Sequence, residues 1–150
     1  MKILVTGGLG FIGSHTVVEL QNKGFEVLIV DNLYNSSIDV LKGIESISGI
    51  APHYKNIDLR DKASVQALFK EYSDIAGVIH FAASKAVGES VENPLLYYEN
   101  NIAALVYLLQ ELQQKGTTFQ TAYAAVNQTL MPPSLGLFFR NLAESLGSQF

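Results

Sequence analysis

Four glycines, Gly7, Gly8, Gly10 and Gly13, stand directly behind the apolar run Ile3-Leu4-Val5 and ahead of a helix-forming segment. That arrangement suits the capture of a pyrophosphate. Glycine permits the tight turn and a close backbone approach to phosphate, and the following helix offers unpaired N–H groups and the positive end of its dipole. A glycine-rich turn that merely joins a strand to a helix is the bland alternative, and the glycines alone do not separate the two. Asp31 does. It follows the next apolar run, residues 25–30, about 20 residues past the turn, where a carboxylate accepts hydrogen bonds from an adenosine ribose. Its charge repels a 2′-phosphate, so the spacing favours NAD over NADP.

Other chemistries find less support. His80, near the end of an apolar run, reads as a buried histidine bonded to neighbouring backbone, while His15 and His53 lack partners at metal-ligand spacing. No cysteine is present, which removes disulfides and thiolate metal sites and fits a reducing, cytoplasmic setting. The net charge of −4 comes without a basic stripe, so no nucleic-acid footprint is expected. No apolar run approaches the ~18 residues of a membrane span, and no signal-like segment opens the chain. Tyr97 and Tyr98 read as helix packing.

The elements that must position the turn and Asp31 alternate between strand and helix. A first helix shows Val17, Val18 and Leu20 on its apolar face and Gly24 as a left-handed cap. A second carries Ile38, Leu41, Ile44 and Ile47 at a spacing of three, and a short strand over 53–57 follows Pro52. Asp61 caps a third helix whose Val65, Leu68, Phe69 and Tyr72 share one face, ahead of a continuous apolar strand over 77–81. A long helix is expected over 94–115, with Tyr98, Ile102, Leu105, Val106, Leu109 and Leu112 as its apolar side and Gly116 as its stop. The pattern gives an α/β, Rossmann-like, doubly wound parallel sheet in the order 3-2-1-4, with the glycine turn near the switch point.

The run from Thr6 to Gly13 resembles the extended short-chain dehydrogenase/reductases. His80-Phe81-Ala82-Ala83, Lys85-Ala86-Val87-Gly88-Glu89-Ser90 and the run from Pro94 to Asn101 narrow the resemblance to the UDP-glucose 4-epimerase family, over about residues 1–116. The resemblance implies an NAD-dependent isomerase of galactose metabolism acting on a nucleotide-sugar substrate. It implies that Gly7, Gly10 and Gly13 shape the pyrophosphate turn and that Phe11 and Ile12 donate backbone N–H groups to it. Asp31 and Asn32 would bind the adenosine ribose, with Leu33, Tyr34, Asn35 and Ser36 closing the loop over that end, and Asp58 and Leu59 would meet the adenine. Phe81, Ala82, Ala83 and Ser84 would line the cofactor, Lys85 would reach the nicotinamide ribose, and Asn100 would support that region. Read without the resemblance, Asp58 is a turn residue, Lys85 a surface lysine and Asn100 a solvated helix residue.

In that family hydride leaves C4 of the sugar for NAD and returns to the opposite face of the 4-keto intermediate. A tyrosine serves as base, supported by a lysine four residues on. None of the seven tyrosines here has a lysine at that spacing; Tyr123 with Asn127 comes nearest, and an uncharged amide does not depress a phenol's pKa. No catalytic residue is therefore assigned, and the 150 residues are expected to bind NAD without epimerase activity. Residues 117–150 depart from the family pattern. They are expected to form a divergent tail, with a strand-like stretch over 117–125 and an amphipathic helix capped by Ser134 and carrying Leu135, Phe138, Phe139, Leu142 and Leu146. A non-catalytic dinucleotide-binding module with a partner-binding or self-associating tail is the second reading, since such apolar side chains promote association.

Overall fold

The computed structural model describes residues 1–114. The expected tail, Gly116 as a helix stop, and Tyr123 with Asn127 lie outside the described residues. Four strands, β1 (Lys2–Thr6), β2 (Glu26–Val30), β3 (His53–Lys55) and β4 (Ile75–His80), form one parallel sheet in the order β3-β2-β1-β4. Between and after them run α1 (Phe11–Asn22), α2 (Val40–Ser48), α3 (Lys62–Glu71), α4 (Val87–Glu92), α5 (Pro94–Tyr98), a π-helical turn (Glu99–Ala103) and α6 (Ala104–Gln114). The expected architecture and strand order are those observed.

Alternate residues of a strand point to opposite faces, and both faces here are apolar because both are covered. Leu4, Leu28 and Val30 pack with Val65, Leu68 and Phe69 of α3 and Leu108 and Leu112 of α6. Ile3, Val5, Val27 and Ile29 pack with Val17 of α1 and Ile44 of α2 on the other side. The sheet is thereby fixed between two helical layers, and its C-terminal edge stays open for a ligand.

Local chemistry explains the boundaries. Asp61 caps α3 as expected, its carboxylate accepting from the Ala63 N–H at 3.0 Å. Gly24 adopts φ +80°, closing α1 in the left-handed region.

Three expectations need correction. The stripe on α2 fails at its ends: the helix begins at Val40, Ile44 is buried, and Ile38 and Ile47 are exposed, Ile47 at 72%. A spacing of three lags a 3.6-residue turn by 60° per step, about half a turn over the stripe. The long helix is broken into α5, the π-helical turn and α6, so an apolar face extrapolated at one α-helical period loses register. Tyr98, Ile102 and Val106 are exposed, while Ala104, Leu108, Glu111 and Leu112 are buried. The short helix α4 was not anticipated at all.

Candidate dinucleotide site

The glycine turn lies between two strand ends. The Gly7 N–H donates to the Val30 carbonyl at 2.8 Å, the Phe81 N–H donates to the Thr6 carbonyl at 2.9 Å, and the Gly10 N–H folds the turn back onto the Gly7 carbonyl. Gly7 has φ +64°, and a Cβ there would meet the Ala82 nitrogen at 2.6 Å. At Gly13 a Cβ would run into the Gly7 carbonyl oxygen and come within 2.8 Å of the Gly8 Cα. These two glycines hold turn, helix α1 and the end of β4 in direct backbone contact, which no side chain permits. Phe11 and Ile12 stand in the first turn of α1, where N–H groups have no intrahelical acceptor, and the Phe11 side chain is 82% exposed.

In front of the turn opens a groove of about 290 Å³. Its lining brings together Gly7, Gly10, Asp31, Asn32, Tyr34, Asn35, Ser36 and Leu59 with Phe81, Ala82, Ala83, Ser84, Lys85 and Asn100, and adds Val30, Ile57 and Ala86. Phe11, Ile12, Gly13, Leu33 and Asp58 are outside that lining. Gly13 acts beneath the turn. Leu33 adopts φ +61° and sends its side chain to the sheet's α1 side.

Asp31 is 8% exposed and organises its loop. Its Oδ1 accepts from the Leu33 N–H at 3.0 Å and the Ser36 hydroxyl at 2.7 Å, and its Oδ2 accepts from the Leu9 N–H of the glycine turn at 3.1 Å. A carboxylate has about four acceptor sites, so Asp31 retains capacity at the groove it lines. Asp58 is engaged elsewhere. The Arg60 guanidinium Nε contacts both its oxygens, at 3.0 and 3.1 Å, and holds its carboxyl below the usual carboxylate range.

At the opposite end, Asn101 holds Ser84 as a strand neighbour would. Its Oδ1 accepts from the Ser84 N–H at 2.8 Å, and its Nδ2 donates to the Ser84 carbonyl at 2.9 Å. Asn100 Nδ2 donates to the Ser84 hydroxyl at 3.0 Å. Adjacent residues of an α-helix diverge by 100°; the π-helical turn brings both amides to one segment, and such turns are frequent at functional sites. Asn101 was missed because an Asn-Asn pair in a helical run carries no spacing signal. The wall they fix includes Lys85, which reaches solvent but is desolvated enough to lower its ammonium's pKa.

His80 is buried at the end of β4. Its Nδ1 lies 2.6 Å from the Thr6 hydroxyl, a side-chain partner rather than the expected backbone one, and burial pushes its pKa down to about 4. The imidazole is neutral at pH 7 and structural. Tyr97 also departs from simple packing: its hydroxyl donates to the Ala86 carbonyl or Glu89 Oε2, each at 2.8 Å. Among the described residues no cluster of histidines and carboxylates suits a metal ion, and no helix is long and apolar enough to cross a membrane.

Residues 4–126 match the family model described as GDP-mannose 4,6 dehydratase. The UDP-glucose 4-epimerase of Haemophilus influenzae is 51% identical over 116 residues, covering 77% of this chain and 34% of that protein. That of Bacillus subtilis is 47% identical with the same coverage. Among solved structures, the UDP-glucose 4-epimerase of Stenotrophomonas maltophila with bound NAD and formylated UDP-arabinopyranose aligns with a TM-score of 0.73 at 47% identity, covering 79% of this chain and 35% of that one. The chain spans about a third of the length of the relatives it matches. It resembles UDP-glucose 4-epimerases in sequence and fold, and it belongs to the GDP-mannose 4,6 dehydratase family.

Proposed function

We propose that this chain binds NAD in the groove between the ends of β2 and β4, as the cofactor-holding part of a UDP-glucose 4-epimerase, and that its 150 residues do not complete the epimerisation. One observation carries the reading. Asp31 is held by three donors at the end of β2 with acceptor capacity left at the groove, opposite a glycine turn packed bare against β4. The bare turn and the first turn of α1 suit a pyrophosphate, and Asp31 suits a ribose diol without a 2′-phosphate. When bound, NAD supplies the hydride acceptor and donor. The protein's own part here is to bind and orient: Asp31 fixes the adenosine end, and Asn100 and Asn101 fix the wall carrying Lys85. The UDP-glucose 4-epimerase of Bifidobacterium longum, solved with NAD+ and UDP, is 44% identical over 78% of this chain with a TM-score of 0.73, which supports the cofactor assignment.

The proton-transfer machinery is a different matter, since no tyrosine of the chain has a lysine four residues beyond it. Incubating the chain with NAD and UDP-galactose tests this. The expected outcome is NAD binding with no UDP-glucose formed; sustained conversion contradicts the inactivity. A second reading, a non-catalytic dinucleotide-binding module with a partner-binding or self-associating tail, is favoured by the apolar Leu135, Phe138, Phe139, Leu142 and Leu146 of residues 117–150. It predicts a solution mass above that of the monomer, falling on deletion of residues 117–150 while NAD affinity stays.

A further inference from the structure

A hydrogen bond ties the loop after β2, on one side of the groove, to α4, which follows the groove-lining residues 81–86. Tyr34, from the loop after β2, is 61% exposed and lines the groove, and its hydroxyl donates to Glu89 Oε1 of α4 at 3.1 Å. The other oxygen of Glu89 is 2.8 Å from the Tyr97 hydroxyl, which also reaches the carbonyl of the groove-lining Ala86. One carboxylate on α4 thus binds a phenol from each side.

The backbone behind Tyr34 is set to deliver it. Leu33 sits at φ +61°, a left-handed conformation disfavoured for a non-glycine residue, which persists only when its surroundings over-determine it. Here they do. The Leu33 N–H is taken by Asp31 Oδ1 and the Tyr34 N–H by Asn32 Oδ1 at 3.1 Å. The same carboxylate that suits a ribose therefore also fixes the turn that carries Tyr34 over the groove.

We propose that Tyr34 and Glu89, with Tyr97 as anchor, form a strap across the groove that slows the departure of a bound dinucleotide. This rests on the NAD-binding reading. Glu89 is not itself part of the groove lining and acts as a positioning residue through Tyr34. The strap must open for ligand to enter or leave, and the single exposed Tyr34–Glu89 hydrogen bond is a weak enough tie for that. Its loss removes a barrier to release rather than a ligand contact.

The test is the dissociation rate of NAD from the full 150-residue chain, measured by stopped-flow displacement for wild type, Glu89→Ala, Tyr34→Phe and the double variant. Each single variant is expected to speed dissociation about three- to tenfold, the range one net hydrogen bond allows. The double variant is expected to go no further, because both changes break one link; independent destabilisation of two sites would instead add. Wild-type rates in both single variants, or full additivity in the double, overturn the strap. A wild-type chain that binds no NAD overturns the reading beneath it, so the two failures are distinct.

Discussion

Asp31 does two jobs that pull on the same lone pairs. It holds the Leu9 and Leu33 N–H groups and the Ser36 hydroxyl, and in the proposed function it is the group offered to a ribose. Asp31→Asn keeps the shape but surrenders the charge, which roughly halves the strength of the remaining bonds, and it replaces one accepting oxygen by an NH2 that cannot accept from the donors now held. We expect NAD affinity to fall about tenfold and the preference over NADP to shrink, both read by calorimetric titration; unchanged preference would remove the carboxylate from cofactor selection. His80 gives a second prediction at this scale. Its folded pKa of about 4 lies below the ordinary 6.5 because of burial. Between those values the unfolded chain binds a proton that the folded chain refuses. Stability is therefore fully present above pH 6.5, is lost as pH falls, and levels off below 4, for a total on the order of 3 kcal/mol. Urea midpoints from pH 7 to pH 4 should decline less steeply for His80→Gln than for wild type, and parallel declines would contradict the assignment.

Among the elements, the glycine turn and the broken helix decide the geometry. Gly13→Ala places a methyl against the Gly7 carbonyl and Gly8 Cα, both backbone, so α1 must shift; the expected cost is about 1–3 kcal/mol, with loss of NAD binding, checked by chemical denaturation and titration together. Asn101→Leu should leave the buried Ser84 N–H and carbonyl without partners, at about 1–3 kcal/mol. The two cases also show what the chain discloses. Gly7, Gly10, Gly13 and Asp31 were legible because strand, turn and helix follow in order at fixed spacing, and backbone sterics demand glycine there. Asn101, Tyr97 and Glu89 were not, because their roles depend on a π-helical turn and on α4. These rest on tertiary contacts that leave no periodic trace. The α2 stripe misled for a related reason: a spacing of three imitates a helical face only over a short stretch.

Across the molecule, the sheet's two covered faces leave its C-terminal edge as the place where the bare turn, Asp31 and the Ser84–Lys85 wall meet. The resemblance to epimerases extends over roughly three quarters of the chain but about a third of those proteins, so cofactor binding and full turnover are separable claims here. Cofactor binding is the central one. Calorimetric titration of the 150-residue chain with NAD, and separately with NADP, tests it most directly: saturable one-to-one binding of NAD, clearly tighter than NADP, is the predicted result, and no heat with NAD, or equal affinity for the two, would contradict it.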